Sequence, residues 1–396
     1  MEKNGYEITD DLERANVVII HGCIVKEPTE KRELSLLERL QKKGKKVIVS
    51  GCLADYFPDR FIKKGIPCCG VNFLDKIVQC IEKGISFTNG KKKEKLGYPR
   101  KLRKKVCAPL VICEGCTFNC SYCAGKLVRK NLFSYSLERI KKEFVWLLQK
   151  GIKEIWITGQ DVGAYGLDKG TDLVKLLKNL LEIEGEYRIR IGMMHPLSLK
   201  RIIEGIIALL NSEERIYKFI HIPLQSGSNR VLQLMRREYT KEEFEEIFLT
   251  LRKEVKNISI GTDVIVGFPT ETEEEFWETV ELIRKLKPDF LNVTRYWPRK
   301  GTEAYKLKPH PPELVKERSR IMSKVHREVS LKRNLEWVGW KGKVLVNEIG
   351  VKNSFISRNN SYKPVVIREF VELGSFVKVK IIEAKEFFLI GKIHNK

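Results

Sequence analysis

The sequence predicts an α/β fold in three parts: an N-terminal βαβ domain, a (β/α) barrel and a small C-terminal antiparallel β-barrel. Three observations carry this. Apolar strand and helix patterns alternate through most of the 396 residues, as parallel strands with crossover helices require. A polar, basic run at 89–105 interrupts them early and sets off a first domain at 1–88. After about Trp337 the pattern shortens to brief strands, which places the barrel at 106–333 and the small C-terminal barrel at 337–396.

In the first part, Ala15 to Ile20 reads as a buried strand running into His21-Gly22-Cys23. Pro28 opens a helix that ends near Lys43-Gly44, with Pro in the first turn and Gly past the last. Lys46 to Ser50 is the next strand and runs into Gly51-Cys52. Open parallel sheets place their ligand sites just past the strand C-termini. Cys23 and Cys52 are therefore either ligands at such a site or two small buried side chains. The linker carries nine Lys/Arg against one Glu between Lys91 and Lys105, a charge that either contacts phosphate or is simply solvated.

Through the second part, Glu154 to Gly159, Tyr187 to Gly192, Phe219 to Ile222, Ile258 to Phe268 and Phe290 to Tyr296 read as strands. Leu173 to Leu181, Glu242 to Val255 and Glu273 to Leu286 read as helices. This length suits a full or partial (β/α) barrel with its site at the strand C-termini. In the last part, Gly342 to Asn347, Ser354 to Ser357, Pro364 to Val366, Phe376 to Ile382 and Phe387 to Lys392 are short strands. Such a barrel serves either nucleic-acid binding or as a structural cap.

Apolar residues at 42% and charged residues at 32% exclude wholesale disorder. The net charge of +23 and pI near 9.5 point to a polyanionic partner. A membrane is the weakest candidate, because the most apolar stretch, Ile202 to Leu210, contains Glu204 and falls short of the ~20 residues a span needs. The start, Met1-Glu2-Lys3-Asn4-Gly5, has no apolar signal core, so the expectation is a soluble cytoplasmic protein. Ten cysteines in such a chain imply metal ligation rather than disulfides.

The strongest signal is Cys116-Thr-Phe-Asn-Cys120-Ser-Tyr-Cys123. Three thiolates at this spacing can bind three irons of a 4Fe-4S cube and leave the fourth iron open. Structural zinc sites need four ligands and usually a CxxC pair, and no His follows at short range.

With that motif at the head of a (β/α) barrel, the chain resembles the radical S-adenosylmethionine (SAM) superfamily. The likeness continues through Thr158-Gly159-Gln160-Asp161, Arg188-Ile-Arg190-Ile-Gly-Met-Met-His195-Pro196 and His221-Ile-Pro223-Leu-Gln225-Ser226-Gly227. It runs on through Met235-Arg-Arg-Glu238-Tyr239-Thr240, Gly261-Thr-Asp263-Val-Ile-Val-Gly267-Phe268-Pro269-Thr-Glu271-Thr272 and Arg299-Lys-Gly301-Thr302. In this order the segments look like the methylthiotransferases, whose C-terminal domain is of the TRAM type. Cys23-Ile-Val-Lys26-Glu27-Pro28-Thr29-Glu30 is similar to the archaeal and eukaryotic branch acting on tRNA with N6-threonylcarbamoyladenosine at position 37.

The resemblance implies a radical SAM transferase with tRNA as partner and an electron donor of flavodoxin or ferredoxin type. A 4Fe-4S cluster on Cys116, Cys120 and Cys123 would cleave SAM to a 5′-deoxyadenosyl radical. That radical would take hydrogen from adenine carbon 2. An auxiliary 4Fe-4S cluster on the N-terminal domain would deliver sulfur, and a second SAM the methyl group. An aromatic C–H bond gives acid–base catalysis no handle, so a cofactor must supply the reactive species. The remaining candidates keep two readings. Gln160 and Asp161 either hydrogen-bond SAM or cap a loop, and Gln225 and Ser226 either contact SAM or substrate or form a turn. Arg190 either meets the SAM carboxylate or another partner in the barrel. Asp263 is either catalytic or holds a buried hydrogen bond, His195 and His221 are core histidines by default, and Arg299 either reaches phosphate or is solvated.

The family carries three N-terminal cluster cysteines, and this chain matches the second and third, Cys23 and Cys52, but not the first. The expectation is that the N-terminal domain lacks its first strand and that the chain as given does not assemble a normal auxiliary cluster. Cys68, Cys69 and Cys80 do not repeat the strand-end placement. Two other activities stay open: methylthiolation of a ribosomal protein side chain, and RNA binding around a purely structural cluster.

Overall fold

Three parallel strands form the first sheet in the order β1 (Val17–Gly22), β2 (Lys46–Gly51), β3 (Cys68–Cys69). The computed structural model describes residues 1–394. Its first unit comprises Met1–Glu94, Ser121–Lys130 and Trp297–Lys306. The strands alternate with α1 (Glu27–Lys42), α2 (Cys52–Tyr56) and α3 (Pro58–Ile62), and α4 (Ile77–Lys83) and α5 (Ala124–Arg129) complete the unit. Its core gathers Val18, Ile20, Leu37, Leu40, Val49 and Leu53 with Ala124 and Val128 of α5. Each such buried side chain stabilises the unit by roughly 1.5–3 kcal/mol. The sequence names no strand at Cys68 and Cys69 and shows only that they do not repeat the strand-end placement of Cys23 and Cys52. They form β3, in register Val49↔Cys68 and Ser50↔Cys69, because the sheet edge supplies a partner that no local pattern announces.

The second unit holds six parallel strands with crossover helices. They are β4 (Cys107–Val111), β7 (Glu154–Thr158), β8 (Arg188–Arg190), β9 (Phe219–His221), β10 (Ser259–Val266) and β11 (Phe290–Arg295), with the short pair β5 (Cys113–Glu114) and β6 (Phe133–Ser134) beside them. Bridges Ile189↔Ile216 and Met193↔His221 join the runs β4-β7-β8 and β9-β10-β11. The helices are α6 (Leu137–Gln149), α7 (Leu173–Leu181), α8 (Pro196–Lys200), α9 (Ile203–Ser212), α10 (Asn229–Leu234), α11 (Lys241–Glu254), α12 (Glu273–Leu286) and α13 (Pro312–Leu335). Reciprocal capping boxes start α11 (Thr240 with Glu243) and α12 (Thr272 with Glu275).

The chain ends in a closed barrel of β12 (Lys341–Ile349), β13 (Phe355–Asn359), β14 (Pro364–Ile367), β16 (Leu389–Ile393) and β15 (Phe376–Ala384), in that order around the ring. The expected antiparallel pattern holds for four pairs, but β14 and β16 run parallel. A closed ring with an odd number of strands cannot alternate direction throughout, so one pair must be parallel. Among the described residues no helix is long and apolar enough to cross a membrane.

The small barrel docks at the strand N-termini of the larger one. Lys363 pairs with Asp289, just ahead of β11, at 2.8 Å, and Asn347 donates to Glu154 of β7 at 2.8 Å. Lys218 N donates to Asn360 O at 2.8 Å. Part of the linker charge is taken up by ion pairs within the protein. In the second unit Lys95 pairs with Glu114, Arg100 with Glu143 and Lys104 with Glu348, while in the first unit Lys93 pairs with Asp75.

Candidate active site at the cysteine loop

After β5 the chain leaves regular structure until α5, and Cys116, Cys120 and Cys123 lie on this loop, all half-buried. Cys116 and Cys120 belong to the second unit, and Cys123 lies in the first unit's Ser121–Lys130 segment. Among the described residues no three His, Cys, Asp or Glu side chains are gathered into a ready-made metal site.

Groups from the strand C-termini fix the loop within the second unit. Gln160, two residues past β7, accepts from Gly115 N at 2.6 Å. Phe118, inside the cysteine motif, stacks on the His195 ring with centroids 3.5 Å apart. Arg237 Nη1 donates to Cys120 Sγ at 3.2 Å. The same guanidinium donates to Tyr239 Oη at 3.0 Å and to Pro223 O at 3.2 Å, and it is only 3% exposed. Burial pushes the Tyr239 phenol up to about 12, so it stays protonated and donates to Pro223 O and Leu224 O.

Asp161 is buried and holds the following turn: His195 N donates to Oδ1 at 3.0 Å and Ser198 Oγ to Oδ2 at 2.6 Å. Burial raises this carboxyl above the ordinary aspartate value despite those bonds. Burial, with the Arg237 charge, drives His195 down to about 2, so the ring is neutral. Its Nδ1 accepts from Leu197 N at 3.3 Å, which leaves the proton on Nε2. That Nε2 is buried without a partner.

Gln225 has φ +73°, a region that disfavours side chains. Its backbone is held there by bonds to Asp263 O and from Ile265 N, and its Oε1 is buried without a partner. Ser226, fully buried, meets Thr279 of α12 and accepts from Ser228 N. His221 Nε2 lies 3.0 Å from Asp263 Oδ2, and Asn292 donates to Asp263 Oδ1 at 2.6 Å, a polar row across β9, β10 and β11. Arg190 is not gathered with these groups. Its guanidinium lies over Phe219 (5.0 Å) and over Tyr362 of the small barrel (5.3 Å), with Nε unpartnered.

In the first unit, Gly22 and Gly51 pair in register and each is followed by a cysteine, Cys23 and Cys52. A Cβ at Gly22 would strike Leu53 at 2.5 Å, and Gly51 has φ +78° with the His21 ring 2.8 Å from its missing Cβ. Only glycine lets the two strands end side by side there. Arg299 is neither solvated nor free for phosphate, because it pairs with the buried Glu30.

Comparison with known proteins bears on what this loop is. Residues 110–283 match the Radical SAM superfamily, 1–68 match Uncharacterized protein family UPF0004 and 338–394 match the TRAM domain. A Pyrococcus horikoshii protein named "Probable threonylcarbamoyladenosine tRNA methylthiotransferase" is 40% identical over 98% of this chain and 93% of its own length. The human threonylcarbamoyladenosine tRNA methylthiotransferase is 34% identical over 98% of this chain and 69% of its own. The chain belongs to the threonylcarbamoyladenosine tRNA methylthiotransferase family. Its fold is also similar to that of a solved structure, the radical S-adenosylmethionine methyltransferase TsrM from Kitasatospora setae with cobalamin and a [4Fe-4S] cluster bound. That match has a TM-score of 0.52 at 14% identity, over 70% of this chain and 63% of that one.

Within the threonylcarbamoyladenosine tRNA methylthiotransferase family, the radical SAM part implies a 4Fe-4S cluster and SAM, and the residues present fit them. The donor set is three thiols, the type of ligand such clusters take. A buried cation stands at Cys120, and His195 Nε2 and Gln225 Oε1 are buried polar atoms with no partner among the described residues. Sequence reasoning gave Arg237 no role. The available signal was an arginine three residues past the end of α10 and two residues before a tyrosine.

Proposed function

We propose that this chain is a tRNA methylthiotransferase that converts N6-threonylcarbamoyladenosine at position 37 to its 2-methylthio derivative in the cytoplasm. Cys116, Cys120 and Cys123 would hold the 4Fe-4S cluster. When bound, that cluster supplies the single electron that cleaves the SAM sulfonium, and an electron donor of flavodoxin or ferredoxin type replenishes it. The chain's own residues position and shield. Gln160 fixes the loop backbone at Gly115, while Phe118 and His195 cover one side of it with stacked rings. His195, neutral at all working pH, offers an Nε2–H donor, and Gln225 offers an acceptor, for SAM or the modified base. Cys23 and Cys52, at paired strand ends, supply two donors for an auxiliary cluster.

The RNA partner is supported by the outer face of the small barrel. Lys341 stands opposite Lys380, Lys343 opposite Lys378, and Lys380 opposite Lys392, all exposed. Like charges directly opposed across strands are destabilising, and a phosphate backbone relieves them.

The observation that carries the reading is the thiol loop with an arginine bonded to one of its sulfurs. The reconstituted protein, incubated anaerobically with SAM, dithionite and tRNA bearing the modified adenosine, is expected to release 5′-deoxyadenosine, read by mass spectrometry. Cys116→Ala is expected to release none. A wild-type protein that makes no 5′-deoxyadenosine, or that holds zinc at the loop, overturns the reading.

A further inference from the structure

Arg237 is a buried group that the reading of the site leaves without a role. It is a full positive charge, 3% exposed, and its contacts include Cys120 Sγ, Tyr239 Oη and Pro223 O. Its guanidinium also lies 5.0 Å from the centre of the Tyr239 ring. Taking a guanidinium out of water is costly unless an anion and well-aligned acceptors meet it. A neutral thiol is a poor acceptor, whereas a metal-bound thiolate carries lasting negative charge. The planar fork bonds three separate acceptors at once, which a lysine ammonium on a flexible stem does less rigidly. Tyr239, itself tied to Pro223 O (2.9 Å) and Leu224 O (2.7 Å), fixes the fork.

We propose that Arg237 is a positioning residue that grips the Cys120 sulfur and sets the reduction potential of the cluster bound at the cysteine loop. This rests on the reading of Cys120 as a cluster ligand. A cationic donor on a ligand sulfur draws electron density away from the irons and favours the reduced state. The arginine thus makes the cluster easier to reduce and locks one ligand in place before iron arrives.

The test uses the full chain, reconstituted anaerobically with iron and sulfide, with the midpoint potential read by electron paramagnetic resonance in a dithionite-poised titration. R237Q is expected to keep iron and its thermal midpoint while its potential shifts negative. R237K, which restores charge without the fork, is expected to fall between R237Q and wild type. Y239F, which frees the guanidinium but keeps its charge, is expected to show a smaller negative shift and covers the case in which R237Q does not fold. Wild-type potentials in the folded variants among R237Q and Y239F overturn the proposal. A wild-type protein with no iron–sulfur signal defeats the cluster reading instead, so the two failures are distinguishable.

Discussion

Two buried aspartates mark opposite ends of the large barrel. Asp289 precedes β11 at the strand N-termini, and Asp161 follows β7 at the C-termini. Burial pushes both carboxyls up. At Asp289 the charges of Lys363, Arg252 and Arg333 outweigh it and hold the group down at about 2. Asp161 meets mainly neutral donors, Ser198 Oγ and backbone amides, and stays raised. The docking end is thus fastened by full charges, one of them, Lys363, supplied by the small barrel. The end that carries the cysteine loop holds its carboxyl above the ordinary aspartate value and has His195 Nε2 and Gln225 Oε1 buried with no partner among the described residues. The difference matches a division of labour in such barrels, where the strand C-termini carry chemistry and the other face carries stability.

Substitution tests that contrast most strongly. Asp289→Ala strands a buried lysine and is expected to cost about 3–5 kcal/mol in urea unfolding. Asp161→Asn keeps an acceptor and sheds a penalised charge, so its cost is expected to stay near 1 kcal/mol. Equal losses break the comparison. Replacing the pair together, Asp289→Leu with Lys363→Met, is expected to recover most of the loss, because the isolated charge and not the missing bond is what destabilises.

The next effect is smaller and depends on pH. A carboxyl held below its ordinary value binds fewer protons folded than unfolded. Its stabilisation is complete above about pH 4 and is lost as pH falls toward 2, roughly 2–3 kcal/mol in all. Asp161 has the opposite sign: raised in the fold, it weakens the protein as pH rises past the ordinary aspartate value. Urea midpoints from pH 2 to 7 are expected to show Asp289→Asn converging on wild type at the acid end. Asp161→Asn is expected to gain on wild type as pH rises. A gap for Asp289→Asn that stays constant with pH contradicts the ion-pair account.

How much of this was readable beforehand depends on whether the signal was local. Helix α7 at Leu173–Leu181 and α12 at Glu273–Leu286 follow from periodicity and caps, and the structure has the same bounds. The 24-residue α13 went unread because its Lys, Arg and Glu dilute the apolar repeat, and its buried face includes Arg318, paired with Glu271. The thiol loop was legible because three donors sit within one short segment. Arg237 was not, since its meaning comes from Cys120, far away in sequence. Arg190 shows the converse: alternation placed it inside the barrel, but Tyr362, which lies beneath its guanidinium, arrives from another domain.

The smallest effect separates the two faces of the small barrel. Lys363 and Asn347 are committed to the docking contacts, whereas Lys341, Lys343, Lys378, Lys380 and Lys392 make no ion pair among the described residues. If these lysines meet phosphates, tRNA affinity falls with salt at a logarithmic slope of about −0.9 per contact. Lys380→Gln is expected to reduce the slope by about one while leaving the urea midpoint unchanged or slightly raised, because Lys380 faces both Lys341 and Lys392 and its loss relieves repulsion. Filter binding across a salt series reads the slope. An unaltered slope in Lys380→Gln places the RNA contact elsewhere on the molecule and leaves the asymmetry between the two faces without a functional cause.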